Sequence, residues 1–238
     1  MTPFRLWVYL QTTPLFWLTA TLGAYLIADG LAKAASRHPL VNPVAIAIAL
    51  IAVLLKLTGA DYQTYFNGAQ FVHFLLGPAT VALGVPLYRN LGLVRRNLLP
   101  MAAALAVGAP VAIVSALLVA KSLGAPRAVL VSLAPKSMTA GVAMAVSEEL
   151  GGAPPLTAVL VIATGILGAI VVTPLMNALG VRDYAARGFA VGLASHGIGT
   201  ARAFSVDPVA GVFAGLGMGL NAVVTPALIP AILPWLTG

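Results

Sequence analysis

The chain has 238 residues, of which 60% are hydrophobic and only 8% charged, with a net charge of +7 and no cysteine. A soluble domain carries about 25% charged residues, so this chain cannot cover a soluble surface. Disulfides and thiolate metal sites are excluded, and no metal or cofactor is expected. The basic residues are scattered over short connectors without a stripe of interleaved aromatics, which argues against nucleic acid as a partner.

Three runs, 98–120, 153–181 and 208–238, contain no charged residue. Each reaches the roughly 20 residues that a membrane helix needs. The same criterion predicts an all-α, polytopic integral membrane protein with about seven or eight segments in a single domain, 1–238. The segments lie near 7–28, 40–57, 66–88, 98–120, 128–149, 155–181, 188–204 and 208–235. The first follows one arginine, Arg5, and lacks a clear cleavage site, so it reads as a span rather than a removable signal. Asp29 marks its end. In the last segment Pro226, Pro230 and Pro234 leave either one long helix or two pieces. With eight crossings the basic residues divide evenly between the two sides. The positive-inside rule therefore gives no orientation, and the cluster from Arg89 to Arg96 is the best marker of the cytoplasmic side.

The fifth segment carries Pro135-Lys136-Ser137-Met138-Thr139 in otherwise apolar surroundings. An intramembrane lysine costs roughly 2.5–3.5 kcal/mol on insertion scales, and proline breaks the helical ladder. Such a segment persists only when buried in protein or lining a wet cavity. A helix restarting at Lys136 would offer first-turn N–H groups and a positive dipole end. The hydroxyls of Ser137 and Thr139 lie beside them. Together these favour a small anion.

The seventh segment carries Ser195-His196-Gly197-Ile198-Gly199-Thr200-Ala201-Arg202. Gly197 and Gly199 permit unwinding, and Thr200 can cap a helix resuming at Ala201. His196, just before this break, serves as a ligand or proton carrier, or simply bonds a neighbouring helix. Arg202 faces substrate or the interface, with Asp207 its nearest acidic neighbour. Asn221 either reaches the same cavity or bonds another helix. His73 is a weaker candidate. Glu148 and Glu149 read as the solvated exit of the Lys136 segment. Glycines four apart, at 188 and 192 and at 211, 215 and 219, suit close helix packing. Enzyme motifs are missing: Ser195 and His196 are adjacent, a poor geometry for a nucleophile and its base.

Two internal echoes occur. Pro86-Leu87 with Leu91-Gly92 returns as Pro174-Leu175 with Leu179-Gly180. Leu133-Ala134, Ala143 and Val146 return as Leu193-Ala194, Ala203 and Val206. Their offsets differ, so they define no single duplication, although inverted repeats with paired broken helices are common in secondary transporters.

The sequence Leu76-Gly77-Pro78-Ala79-Thr80-Val81-Ala82-Leu83 adds to these motifs, as do Val85-Pro86-Leu87-Tyr88 and Ser132-Leu133-Ala134-Pro135-Lys136-Ser137. So do Glu149-Leu150-Gly151-Gly152, the stretch from Ser195 to Ala203, and Gly217-Met218-Gly219-Leu220-Asn221. In them the chain resembles the LrgB/CidB family of bacterial inner-membrane proteins. One departure is Ala140-Gly141, where a small polar residue and a proline are expected. The resemblance implies a multi-pass protein of the bacterial inner membrane, working with a small LrgA/CidA-like membrane protein. Two functions follow from it. One is a transporter, or transporter subunit, for small carboxylates of the glycolate, glycerate or pyruvate type, with proton coupling as an option. The other is a holin/antiholin-like protein modulating murein hydrolase export and autolysis. For the transporter, the expected substrate-binding residues are Lys136, Ser137, Thr139, His196, Gly197, Gly199, Thr200, Arg202 and Asn221. A homo-oligomer is compatible with either.

Overall fold

The computed structural model describes residues 13–75, 78, 81, 82 and 84–237, all in helices and their connectors. Arg5, the start of the first predicted segment and most of the Leu76–Leu83 motif lie outside the described residues, as does the His73 side chain. Two compact units divide near Gly84.

In the first unit, α1 (Pro14–Ala34), α2 (Pro43–Thr58) and α3 (Tyr62–Phe74) follow one another through short connectors. Pro43 sits where a missing N–H is harmless. Asn42 caps the helix it opens, accepting from the Val44 and Ala45 N–H groups at 2.9 and 3.1 Å. Asp61 starts α3, accepting from the Thr64 N–H at 2.8 Å. That bond and one from the Thr64 hydroxyl hold its carboxyl below the usual carboxylate range. Trp17 of α1 is fully buried and meets the Tyr65 ring edge-on. At the end of α1, Asp29 pairs with Lys33 at 2.7 Å and Arg37 at 2.6 Å.

In the second unit, α4 (Gly84–Arg89) and α5 (Leu91–Arg96) lead into α6 (Leu98–Ser122). Next come α7 (Arg127–Leu133), α8 (Ala140–Glu149), α9 (Pro154–Ala178), α10 (Tyr184–Val206) and α11 (Pro208–Thr237). One apolar cluster joins the second half of α6, the first half of α9 and the second half of α11 through Ile113, Leu117, Val161, Ile229 and Leu233. Another joins the first halves of α6, α10 and α11 through Met101, Phe189, Val212 and Phe213. Thus α6 and α11 run one way and α9 the other.

Among the described residues four helices are long and apolar enough to cross a membrane: α1, α6, α9 and α11. The expectation of seven or eight segments is corrected on three counts. The 40–57 run makes only the 16-residue α2. In the 66–88 run, neither of the described helices, α3 and α4, reaches span length. The segments at 128–149 and 188–204 do not run straight: both turn back. The last segment forms one helix despite its three prolines. They stand four apart, on one face.

The first reversal is set by a buried hydroxyl cluster. Thr157 Oγ1 donates to the Ser132 carbonyl at 3.0 Å and pairs with the Ser147 hydroxyl at 2.7 Å. Ser132 Oγ accepts from the Ala153 N–H at 2.8 Å. A straight helix would put Ser132 and Ser147 about 22 Å apart. Here both reach one Thr157 side chain, so α7 and α8 form a hairpin turning over 134–139 and based at the start of α9. Replacing Thr157 with valine strands the Ser132 carbonyl and the Ser147 hydroxyl. The expected loss is about 1–3 kcal/mol of stability, readable as a lower melting temperature in detergent.

The second reversal lies inside α10, where Ser195 has φ −135° and ψ 18° and His196 has φ 41° and ψ −137°. A Cβ on Gly199 would come within 2.9 Å of the Val191 carbonyl oxygen. Eight residues of straight helix would separate these positions by about 12 Å. The first limb, 184–194, runs parallel to α11, with Gly188 against Ala210 and Gly192 against Ala214. The second limb, 197–206, runs antiparallel to it, with Phe204 against Gly211 and Thr200 Oγ1 3.9 Å from Met218 Sδ. The chain turns sharply at a non-glycine residue in the left-handed region, a conformation costing of order 1–3 kcal/mol.

Candidate functional site at the two hairpin tips

The hairpin tips meet on α11. Asn221 is fully buried. Its Nδ2 donates to the Ser137 carbonyl at 3.2 Å and the Leu193 carbonyl at 3.1 Å, with Ser137 Oγ at 3.4 Å. Its Oδ1 accepts from Thr225 Oγ1 at 2.7 Å. Ser137 belongs to the first tip, and Leu193 is the last turn before the second. In an unkinked helix the Leu193 carbonyl would accept from residue 197; the reversal removes that donor and Asn221 replaces it.

The second tip is seated on α9 by two glycines. A Cβ on Gly168 would run into Ser195, and one on Gly165 would lie 2.6 Å from His196 Cε1. His196 Nε2 lies 2.8 Å from the Val161 carbonyl. A carbonyl only accepts, so Nε2 carries the hydrogen and Nδ1 remains the variable nitrogen. Leu193 packs on Gly108 of α6. Gly108, Gly165, Gly168 and Asn221 all lie near the middle of their helices. The tips therefore stand at mid-length of three span-length helices.

Lys136 lies in the first tip, half-buried. Its N–H donates to the Leu133 carbonyl at 3.0 Å, and the Met138 N–H donates to the Pro135 carbonyl at 3.0 Å. The expectation that the helix restarts at Lys136 with open N–H groups is therefore corrected: α8 restarts at Ala140, with Thr139 as its extended N-cap and no side-chain cap bond. Proline and the tight turn delay the restart, and the turn takes up the Lys136 and Met138 N–H groups. The Lys136 ammonium finds no hydrogen-bond or ion-pair partner among the described residues.

The other predicted site residues divide. Gly197 and Gly199 fall on the second limb, and the bend lies at Ser195 and His196 rather than at the glycines. Thr200 does not cap a helix restarting at Ala201: the limb has resumed by Gly197, and Thr200 Oγ1 donates back to the His196 carbonyl at 2.8 Å. Arg202 is half-buried near the open end of the second hairpin, beside Thr173, Tyr184 and Arg187, away from the tips. Asp207 caps α11, accepting from the Val209 and Ala210 N–H groups at 2.7 and 3.1 Å. Glu148 and Glu149 are exposed at the end of α8, as expected of a solvated exit. Sequence reasoning missed Thr157, Ser147, the Val161 carbonyl, Gly165 and Gly168. A small-residue spacing in the α9 run was the only available signal for the glycines.

These features define an all-helical, multi-pass membrane protein whose polar groups converge at two fold-back tips. The chain belongs to the LrgB-like family, which it matches over residues 21–235. It is 33% identical over 225 residues to the holin-like protein CidB of Staphylococcus epidermidis, covering 94% of this chain and 97% of the relative. It is 34% identical over 213 residues to protein YwbG of Bacillus subtilis, covering 89% and 95%. The antiholin-like protein LrgB of Bacillus mycoides is 30% identical over 224 residues, covering 94% and 97%. These relatives carry no enzyme name. No solved structure matches the chain.

Proposed function

We propose that this protein works in a holin- and antiholin-like system of the kind its relatives are named for. It would sit in the bacterial inner membrane and modulate murein hydrolase export and autolysis. The observation that carries the reading is near-full-length similarity to relatives named both holin-like and antiholin-like. A small LrgA/CidA-like membrane protein, encoded separately, is the partner this reading requires. Deleting the gene is expected to change the autolysis rate and the hydrolase activity released to the medium, with restoration by the intact gene. Unchanged lysis and release, with the partner present or absent, would overturn the reading.

A second reading is favoured by the half-buried Lys136 ammonium, which stands at a tip beside the uncapped start of α8. Helix starts and a nearby cation suit a small carboxylate, and a wide leakage pore needs no such placement. On this reading Lys136, Ser137, Thr139 and Asn221 border the substrate on one tip. His196, Gly197, Gly199 and Thr200 border it on the other, with His196 available for proton coupling. Arg202 would act at the mouth of the second hairpin. In reconstituted vesicles, saturable uptake of labelled glycolate or pyruvate is expected to fall about tenfold or more in Lys136→Ala, the factor that 1.4 kcal/mol of lost binding produces. Flux graded only by solute size and indifferent to that change would sink it.

A further inference from the structure

We infer that the two hairpins and the spans that follow them are halves of one inverted repeat, and that the tips act as a two-sided gate. The sequence offset is 60 residues, from Leu133 to Leu193. It carries Ala143 onto Ala203 and Val146 onto Val206, and hairpin onto hairpin. It also pairs Lys136 with His196 and Val161 with Asn221.

The contacts obey this pairing. The second tip bonds the first repeat's span at Val161, through His196 Nε2. The first tip is bonded by the second repeat's span at Asn221, through the Ser137 carbonyl. Each tip thus leans on the other half's helix, at positions that the 60-residue offset pairs. Within the halves, Thr157 holds Ser132 of the first hairpin. Its counterpart Gly217 packs against Phe189 and Leu193 of the second, where a Cβ would meet the Phe189 carbonyl oxygen at 2.6 Å.

The hairpins enter from opposite ends. The first is based where α9 begins, the second where α11 begins, and those two spans run in opposite directions. The tips stop at mid-length, each held to the other half by a polar contact at one position. Withdrawing one tip opens the middle to one end only while the other tip stays seated. Such a fold has two equivalent ways to open, related by exchanging the roles of its halves. This holds whatever solute crosses, so its test needs no substrate.

The chain's lack of cysteine makes a thiol experiment clean. Single variants Arg127→Cys and Glu149→Cys are expected to react with a membrane-impermeant maleimide from one side of oriented vesicles. Arg182→Cys and Val206→Cys are expected to react from the other. A split within either pair would mean a crossing segment in place of a hairpin and would overturn the repeat. Thr139→Cys reports the gate and is expected to react from both sides. A Cβ on Gly197 would lie 3.9 Å from Met218 Sδ, so Gly197→Cys and Met218→Cys bridged by a short bifunctional thiol reagent, added before Thr139→Cys is exposed to it, pin the second tip to α11. Labelling of Thr139→Cys from the second hairpin's side is then lost, and labelling from the first side persists. Labelling from both sides with the tip pinned, or from neither side unpinned, overturns the gate.

Discussion

Gly192→Ala is expected to be strongly destabilising. A Cβ there would collide with the Ala214 carbonyl and lie 2.6 and 2.7 Å from its carbonyl carbon and Cα. These are backbone atoms of α11, which cannot rotate away as a side chain would. The first limb of α10 must then lift from α11 along its whole contact. Overpacking a well-filled core costs about 1–3 kcal/mol and occasionally more, and a rigid backbone neighbour places this case at the upper end. Gly188→Ala, facing Ala210 in the same way, should behave alike. Gly219 on the same helix α11 supplies the contrast, since nothing lies within 4 Å of its Cβ position. Gly219→Ala is expected to be neutral or stabilising by up to about 1 kcal/mol, the helix-propensity difference. Melting temperature and the monodisperse fraction in detergent read both. Equal tolerance of the two substitutions would contradict the backbone contact.

Asn221→Leu carries the second large effect. The branching is the same, but leucine's methyls are bulkier than the amide, so the change removes the amide and crowds the site. The Leu193 and Ser137 carbonyls lose their side-chain donor in a buried, apolar place, at about 1–3 kcal/mol for each group left unsatisfied. Asn221→Asp keeps the acceptor for Thr225 but turns a carboxyl oxygen toward both carbonyls in a buried site, so it should be at least as destabilising. Thr225→Val removes only the bond to Asn221 Oδ1 and should cost less than either. A ranking with Thr225→Val worst would mean that Asn221 holds its own helix rather than the two tips.

The sites of irregularity were legible in the sequence, and their geometry was not. Pro135 beside Lys136, and the Ser195–Arg202 stretch, announced two interruptions because each breaks a rule that an ordinary membrane helix obeys. Hydropathy measures length in residues and is blind to direction. A 20-residue apolar run that turns back scores like one that crosses, so the segment count came out too high. The reversal at His196 was hidden for a second reason. The neighbouring glycines looked like the flexible points, yet the bend falls on the residue whose ring is seated over Gly165. Those glycines instead make room: Gly199 lets the limbs pass each other near Val191. Asn221 was visible as a lone polar group in an uncharged run, while its two carbonyl partners, 84 and 28 residues away, could be found only from the fold. Of the two sequence echoes, the one offset by 60 marks the hairpins. Nothing in the structure gives the Pro86–Gly92 echo a meaning.

The fold-back of α10 is open to one direct distance measurement. Spin labels at Tyr184→Cys and Ser205→Cys on the cysteine-free chain would stand about 31 Å apart along a straight helix. The hairpin brings both ends of α10 to a single small cavity lined by Tyr184, Arg202 and Val206. A pulsed electron-spin distance well under 20 Å, about the span of two packed helices with their labels, is the predicted result. A distribution centred near 31 Å would leave no meeting of tips at Asn221.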